Sequence, residues 1–411
     1  MVYLTNILLF SGPALTLLMR SGYIVLGLTF FVLTLVLLNN KENRQWPLDQ
    51  SVKWMSYGFW AYAGIAIFIH LYHGQISKHI EAFLPMLLYP LLFFVVPKLP
   101  LRAHFLWAGA AAGALGAGLV AIYQAKVLGV VRADGFYYNP IPFGDIALVL
   151  SAASLIALLQ FPFEKHAKLL KVCLALGGAC GMMASLLSGT RGGWLTLLTL
   201  VLFSAWLLSS KWSNWKRWLS LLMACFLIAT AVHLSPRANV MDRIEKGLSG
   251  GVTWVKTGQV TDGSVSLRLA LFAEGLGMFK ERPILGWEWR SVHAEQERRL
   301  REKGVDPVLS STYGAFENEV IDKLVGFGLM GLISVVCAFV FPFWAFWRYR
   351  LDHDAQIRCF ATMGMLLPIM FMEFGLSVSV LSLNAMRHVY VVWCVILLCL
   401  ILHRQRELKA T

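Results

Sequence analysis

Residues 324–347 read LVGFGLMGLISVVCAFVFPFWAFW, a run of 24 residues without a charged side chain. About 20 apolar residues suffice for an α-helix to cross the roughly 30 Å hydrocarbon layer of a bilayer. Similar segments recur toward both ends of the chain, and one long polar stretch, residues 236–323, lies between them. The chain is 58% hydrophobic and 14% charged, whereas soluble domains carry about 25% charge. The sequence therefore predicts an all-α integral membrane protein.

Twelve segments are long and apolar enough to be predicted as membrane spans. They are residues 4–19, 21–38, 55–71, 80–97, 105–124, 141–160, 169–187, 193–209, 217–235, 324–347, 359–383 and 388–402. The predicted organisation is nine transmembrane helices in 1–235, one exported loop in 236–323, and three transmembrane helices with a cytoplasmic tail in 324–411. The first span lacks the basic start and the cleavage site of a signal peptide, so it is predicted to remain in the protein.

The positions of lysine and arginine predict the orientation. With the N-terminus in the cytoplasm, the cytoplasmic loops and the C-terminal tail hold 17 of these residues, and the short outer loops hold six. Positive charge concentrates in short cytoplasmic loops, and long loops are translocated largely regardless of charge. We therefore expect both termini inside and the 236–323 loop outside.

The net charge of +13 does not indicate nucleic-acid binding, because of where the charge lies. The long loop holds 13 basic and 13 acidic residues, so the excess flanks the spans, where it meets anionic lipid. All seven cysteines fall in predicted spans, which excludes a disulfide framework in the loop. Membrane lipid is an expected partner, and nucleic acid is not.

The long loop has helical patterning. Apolar residues recur at roughly helical spacing over 264–280, and Pro283 with Gly286 ends that segment. The densely charged stretch 292–303 predicts a solvated helix, and a further helix is predicted from Phe316 into the tenth span. These elements predict a small helical cap on the outer membrane surface.

The turn between the seventh and eighth spans is the first candidate site. It reads SGTRGG at residues 188–193, with Arg191 at its centre, and is predicted to lie outside. Glycines around an arginine expose the guanidinium together with backbone N–H groups, and such a cradle can bind a phosphate through bidentate contacts. An arginine that anchors a span end at the lipid headgroups explains the pattern about equally well.

Three loop residues add further candidates. Arg268, on the first loop helix, is a second cation, although a structural salt bridge fits the pattern equally well. Glu317 lies at the predicted start of the helix that enters the tenth span. A carboxylate there can take a proton from an attacking hydroxyl, and helix capping is the competing role. Arg290 is a weaker cationic candidate.

Two carboxylates are predicted inside the outer half of the membrane, Asp145 in span six and Glu373 in span eleven. Ionisable groups at that depth are costly and indicate function by default, although pairing with an arginine or a polar helix also explains them. As coupling sites they would suit a twelve-span transporter. Against a transporter, the chain shows no internal two-fold repeat, and a helical exported loop has no evident role in a carrier.

Several segments resemble the O-antigen ligase and polymerase superfamily. SGTRGGWL at 188–195 is similar to its arginine-bearing turn, and SLRLALF at 266–272 with PILGW at 283–287 is similar to its loop segment. O-antigen ligases carry a histidine, then Asn, Ser or Gln, nine residues and Gly-x-x-Gly near the tenth span. Here Glu317-Asn318 precede nine residues and Gly328-x-x-Gly331. The spacing is kept, and a glutamate stands where the family has histidine.

The resemblance implies a polytopic, GT-C-like membrane glycosyltransferase that needs no metal and no cofactor. It would take a glycan from undecaprenyl diphosphate at the periplasmic face of a bacterial inner membrane. A ligase passes the glycan to a sugar hydroxyl of lipid A–core in lipopolysaccharide biosynthesis, whereas a polymerase passes it to another lipid-linked repeat unit. The retained spacing favours the ligase, and the glutamate leaves the polymerase open. The sugar, the linkage and the oligomeric state cannot be predicted.

Carried over to this sequence, the resemblance assigns a role to each candidate. Arg191 and Arg268 would stabilise the diphosphate leaving group, and Glu317 would deprotonate the acceptor hydroxyl for inverting, in-line attack. Substrate-binding roles would fall to Gly189, Thr190, Gly192, Asn318 and Arg290. The predicted outer face carries no Asp-x-Asp and no His/Cys cluster of ligand spacing, so no metal site is expected. The sequence does not predict whether Arg268 approaches Arg191.

Overall fold

The computed structural model describes residues 2–74, 80–137, 139–164, 167–209, 240–260, 264–305 and 316–410, and the structural statements that follow concern these residues. The side chains at 80, 191, 194, 204–209, 240–244, 264, 289 and 290 lie outside the description. The predicted span 217–235 also lies outside it.

Every regular element in these ranges is helical. The bundle helices are α1 Val2–Leu15, α2 Gly22–Leu37, α3 Gln50–Tyr72, α4 Leu84–Leu88, α5 Ala103–Lys126, α6 Pro140–Gln160, α7 Lys168–Ser188 and α8 Arg191–Ser209. The long loop contains α9 Val240–Thr257, α10 Ser264–Glu281 and α11 Trp289–Glu302. The chain returns to the bundle with α12 Glu319–Trp347, α13 Ala355–Phe374 and α14 Asn384–Ala410.

The multi-pass character of the protein is confirmed. Among the described helices, α5, α6, α7, α12, α13 and α14 are each long and apolar enough to cross a membrane, and α1 and α2 are shorter apolar helices. The predicted number of twelve spans stays a prediction.

Two predicted spans need correction. Residues 80–97 are not one helix but α4 and three short 3-10 turns, and prolines at 85, 90 and 97 lie in these pieces. Proline has no N–H for the helical ladder, so a hydrophobic run interrupted in this way cannot stay regular. The span predicted at 359–383 ends as α13 at Phe374. Residues 375–383, called the return segment below, fold back over the end of the bundle.

Small residues allow the bundle helices to approach closely. α7 packs extensively against both α5 and α6, and α3 packs against α12. A Cβ atom added to Gly177 of α7 would lie 2.8 Å from the Cα atom of Ala111 in α5, a contact that no larger residue tolerates. Such close backbone contact is typical of helices that associate in lipid.

The long loop forms a helical cap with its own apolar core. Leu267 and Leu271 of α10, Val292 and Leu300 of α11, and Phe316 are buried together. The helix predicted over 264–280 is confirmed as α10, and the charged helix predicted over 292–303 is α11, which begins earlier at Trp289. Since α9 also packs against α10, the three loop helices α9–α11 are called the cap below.

The cap is joined to the bundle at a break in α12. Gly328 has φ 61° and ψ −149°, a backbone conformation essentially restricted to glycine. At the break, the Leu329 N–H donates to the Pro283 carbonyl at 2.7 Å, and the Trp287 N–H donates to the Val325 carbonyl at 2.8 Å. Residues 283–287 therefore dock onto α12 through backbone hydrogen bonds, which fixes α10 relative to the start of α12.

Candidate active site

Arg268 of the cap contacts Glu317 just before the start of α12. The Nη2 atom of Arg268 on α10 lies 3.7 Å from Oε2 of Glu317, and the two side chains are 19% and 16% exposed. Forty-nine positions separate the two residues in the sequence, so their contact depends on how α10 docks. The structure thus brings together two of the three predicted catalytic residues.

The backbone around Glu317 is constrained. Phe316 is fully buried in the apolar core of the cap. Gly275 of α10 has no side chain to block its approach, because a Cβ atom there would lie 2.5 Å from Ile321 and 3.0 Å from Phe316. Glu317 itself has φ 53°, and it is the one non-glycine residue with positive φ in the described part of the chain. Such a conformation costs about 1–3 kcal/mol and persists where the surroundings impose it.

Asn318, and not Glu317, caps α12. Its side-chain oxygen accepts hydrogen bonds from the N–H groups of Val320 and Ile321 at 3.0 and 3.1 Å. The alternative role predicted for Glu317, helix capping, is therefore taken by its neighbour, and the Glu317 carboxylate is left for Arg268. The substrate-binding role predicted for Asn318 stays a prediction, and its oxygen is already engaged.

Burial makes Glu317 a stronger base. Desolvation raises the pKa of Glu317 above the ordinary 4.5, and the nearby Arg268 guanidinium offsets only part of that rise. The carboxyl group of Asp322 raises this pKa further. A base is most effective when its pKa approaches the working pH, so the direction of the shift favours proton transfer.

The turn at residues 188–193, the arginine turn, is shaped by its backbone. Gly189 ends α7 in a left-handed conformation with φ 65°, and Arg191 begins α8. Thr190 is buried, and its hydroxyl lies 3.2 Å from that of Ser188. The Nε of Arg132 donates to the Ser188 carbonyl at 2.9 Å, so a second arginine supports the turn. The side chains of Arg191 and Arg290 lie outside the described part of the chain, and their roles stay predictions.

The return segment lies between the arginine turn and the start of α12. A Cβ atom on Gly192 would lie 2.3 Å from the Ser377 hydroxyl, so the turn packs directly on this segment. On its other side, the Glu319 N–H donates to the Gly375 carbonyl at 2.8 Å. The backbone of the arginine turn and the Arg268–Glu317 pair therefore lie at the same end of the bundle, separated by one short segment.

The two membrane-depth carboxylates also lie at this end. Asp145 of α6 is fully buried close to Thr190 and Arg132, and neither of its carboxylate oxygens has a hydrogen-bond partner in the described structure. Glu373, in the last turn of α13, accepts a hydrogen bond from the hydroxyl of Thr199 on α8. Pairing with a polar group, one of the two explanations given above, therefore fits Glu373, and the functional explanation stays a prediction for Asp145.

Sequence reasoning missed a buried group of charges next to Glu317. Glu319, Asp322, Lys323 and Arg387 are each at most 7% exposed. The signal was present, because positions 319, 322 and 323 share one face of a helix that enters the membrane. The helix pattern alone does not reveal the burial of these residues, because their partners come from the return segment, about 60 positions away.

In chemical terms, the site offers a half-buried carboxylate, an adjacent guanidinium and a glycine-rich turn. A carboxylate of raised pKa can accept a proton, and a guanidinium can neutralise a developing oxyanion in surroundings that contain little water. No group of three His, Cys, Asp or Glu side chains with metal-binding geometry occurs within the described ranges.

Comparison with known proteins gives two matches. An uncharacterised protein of Haemophilus influenzae is 24% identical over 314 residues, which cover 73% of this chain and 74% of that protein. The model of the family described as O-antigen ligase matches residues 174–336. This range begins within α7, includes the arginine turn, the cap and Glu317, and ends within α12. The part of the chain that holds the arginine turn, the cap and Glu317 is therefore similar to the O-antigen ligase family.

Proposed function

We propose that this chain is an O-antigen ligase, which transfers a glycan from undecaprenyl diphosphate to a sugar hydroxyl of lipid A–core. The reaction takes place at the periplasmic face of a bacterial inner membrane, and both termini are cytoplasmic. The match to the O-antigen ligase family model supports a membrane glycosyltransferase that acts on lipid-linked glycans. We add to this the donor, the acceptor and the side of the membrane on which transfer takes place.

The contact between Arg268 and Glu317 is the observation that carries the proposal. A transferase of this kind must activate a hydroxyl and stabilise a diphosphate leaving group at one place. The 3.7 Å separation puts a base and a cation at one place. The arginine turn at the same end of the bundle supplies backbone N–H groups and, in the proposal, the guanidinium of Arg191.

In the proposed reaction, the Glu317 carboxylate accepts the proton of the acceptor hydroxyl as its oxygen attacks the anomeric carbon. The bond between that carbon and the diphosphate oxygen breaks on the opposite face, so the anomeric configuration inverts. The diphosphate leaves with the bonding electron pair and stays attached to undecaprenol. Arg268 and Arg191 stabilise the negative charge that develops on it.

The remaining motif residues shape the donor site in this proposal. Gly189 and Gly192 let the turn bend and approach the return segment, where side chains would collide. Thr190 and Asn318 fix the local backbone through the hydrogen bonds described above. Arg290, at the start of α11, is the residue proposed to contact the glycan itself.

A polymerase is the second candidate, and Glu317 is the observation that favours it. Ligases of the family carry histidine at this position, whereas this chain carries Glu317. In a polymerase, the attacking hydroxyl belongs to another lipid-linked repeat unit, and the roles of Glu317 and Arg268 are unchanged.

The decisive experiment supplies purified protein in liposomes with an undecaprenyl-diphosphate-linked glycan, with and without lipid A–core. A ligase forms glycan-capped core only when core is present, whereas a polymerase lengthens the lipid-linked chains in both samples. Product mass and gel mobility separate the two results. The absence of both products, with the donor intact, would contradict glycan transfer. Collapse of a proton gradient has no expected effect, and dependence on a gradient would support a transporter instead.

A further inference from the structure

Two acidic and two basic side chains are buried together between the start of α12 and the return segment. Glu319, Asp322, Lys323 and Arg387 are 2%, 3%, 7% and 1% exposed. They are called the charge clamp below. The proposed chemistry uses none of them.

One half of the charge clamp holds Ser382. The Lys323 ammonium donates to the Ser382 hydroxyl at 2.9 Å, and this hydroxyl donates to Oδ2 of Asp322 at 3.4 Å. Lys323 also lies 3.8 Å from both carboxylates, at Oε1 of Glu319 and Oδ2 of Asp322. A serine of the return segment is therefore held between two charges of α12.

The other half holds the neighbouring residue, Leu381. Its N–H donates to Oε2 of Glu319 at 2.8 Å, and its carbonyl accepts from Nη1 of Arg387 at 2.7 Å. The Glu319 N–H also bonds to the Gly375 carbonyl at 2.8 Å. Both ends of the return segment are consequently attached to the first two turns of α12, next to Glu317.

Stability alone does not explain this arrangement. Two positive and two negative charges cancel, but desolvating four charges is costly, and apolar replacements of similar volume are often as stable or more so. Oε1 of Glu319 and Oδ1 of Asp322 are buried without a hydrogen-bond partner in the described structure. In some proteins buried ion pairs select one geometry among several, and such a role fits this arrangement.

We propose that the charge clamp is a positioning device, which holds Glu317 at a fixed distance from the arginine turn. Glu317 lies two residues before Glu319, and Gly192 of the turn lies against Ser377 of the return segment. Movement of the return segment relative to α12 would separate the base from the turn directly. The inference has two halves. The structural half, that the charge clamp holds the return segment against α12, is independent of the proposed function. The positioning half, that this contact places Glu317 for catalysis, rests on the proposed function.

The structural half is tested by hydrogen exchange of the full chain in lipid nanodiscs, followed by mass spectrometry. Lys323→Met removes a buried charge from the clamp, whereas Ser382→Ala removes only the two hydrogen bonds that tie the return segment to Lys323 and Asp322 and leaves the ion pair between them in place. Both variants are expected to exchange about tenfold faster in residues 316–323 and 375–383, as the loss of hydrogen bonds to charged groups predicts. Arg404→Gln, which breaks an ion pair at the opposite end of the bundle, is the matched control and leaves these segments unchanged.

The positioning half is tested by glycan transfer in liposomes. Ser382→Ala is expected to lower kcat about tenfold or more at unchanged donor KM, because a displacement of about 1 Å can reduce a rate by 10²-fold. Lys323→Arg retains the charge and restores most of the kcat that Lys323→Met loses. A general loss of folding would instead lower the active fraction in all variants alike, without this rescue.

Each result decides one half. Unchanged exchange in both segments, or faster exchange throughout the bundle, would overturn the clamp. Faster local exchange with wild-type kcat would overturn its positioning role. If the wild-type protein transfers no glycan to either acceptor, the proposed function fails, and the exchange data still decide whether the clamp exists.

Discussion

The two ends of the bundle differ in how completely their charged side chains are paired. At the end away from the cap, Asp354 caps α13 through the N–H groups of Gln356 and Ile357 and pairs with Arg404 at 3.0 Å. Nearby, the Tyr349 hydroxyl donates to Asp49, which caps α3. Each of these carboxylates combines a helix cap with a second partner, which is a stabilising arrangement.

At the cap end, charges are buried with fewer partners than they could bind. The Nε of Arg268 is buried without a hydrogen-bond partner in the described structure, and Glu317 has an unfavourable backbone conformation. Burial raises the pKa of Glu317. For Asp354, burial acts in the same direction, but hydrogen bonds from Arg404 and backbone N–H groups prevail and lower its pKa. Perturbed, incompletely paired groups concentrate where chemistry is done.

Removal of the Glu317 carboxylate is expected to have the largest effect. Glu317→Gln keeps the shape of the side chain but cannot accept the proton, and general bases contribute about 10²–10⁴-fold to rates. We expect kcat to fall by that factor with little change in donor KM, measured by glycan transfer in liposomes. Glu317→His, which restores the residue typical of ligases, is expected to recover part of the rate.

Glu297→Gln is the matched control for this change. Glu297 forms an exposed ion pair with Arg301 on the same cap, so its loss tests the effect of removing any cap carboxylate. Its expected rate is that of the wild-type protein. Full activity in Glu317→Gln would exclude Glu317 as the base. The cap end would then not differ from the opposite end in its role in catalysis.

Arg268→Gln is expected to change how the rate of glycan transfer depends on pH. The Arg268 charge lowers the pKa of Glu317, so its removal raises this pKa further. Activity requires the ionised carboxylate, and the acid limb of the pH–rate profile is therefore expected to move to higher pH. At neutral pH we expect kcat/KM to fall by about 10–10³-fold, as for the loss of one oxyanion-stabilising group. A profile that moves to lower pH would contradict a direct Arg268–Glu317 interaction.

Hydropathy alone predicted most of the bundle. Runs of apolar residues located α5, α6, α7 and α8 to within two residues at each end, because a bilayer demands length and apolarity and little else. The failure at 80–97 was avoidable, since its three prolines were visible in the sequence. The end of α13 was not predictable from hydropathy, because the return segment carries Val378, Val380 and Leu381 and is as apolar as the helix before it.

The candidate site was predictable only as separate motifs. Helical spacing placed Arg268 on a loop helix, and the family motif singled out Glu317, but their contact depends on the docking of residues 283–287 at Gly328. The charge clamp was hidden for a related reason. Local pattern cannot distinguish a buried Lys323 from a solvated one when its partner, Ser382, lies 59 positions away.

A substitution where the cap docks onto α12 is expected to have the next smaller effect, a loss of stability. Gly328→Ala places a Cβ atom 2.4 Å from the Ile284 carbonyl, at a backbone conformation that alanine rarely adopts. We expect a loss of about 1–3 kcal/mol in stability, the usual cost of such a conformation, seen as a lower Tm of the purified protein. The adjacent control is Gly326→Ala, because nothing lies within 4 Å of a Cβ atom there. Equal Tm values for both variants would show that the break does not require glycine.

The smallest effect is expected from Arg404→Gln, at the end away from the cap. Its pair with Asp354 is partly exposed, at 27% and 14%, and such pairs contribute about 0–1 kcal/mol. Because the folded-state pKa of Asp354 is lowered, the pair stabilises the fold above the ordinary pKa of 3.8 and ceases to do so as the pH falls through the lowered value. The Tm difference between Arg404→Gln and the wild-type protein should therefore shrink on acidification, while glycan transfer at neutral pH is unchanged. A loss of transfer comparable to that in Arg268→Gln would mean that charge removal impairs the enzyme at either end, and the contrast between a stabilising end and a chemical end would no longer hold.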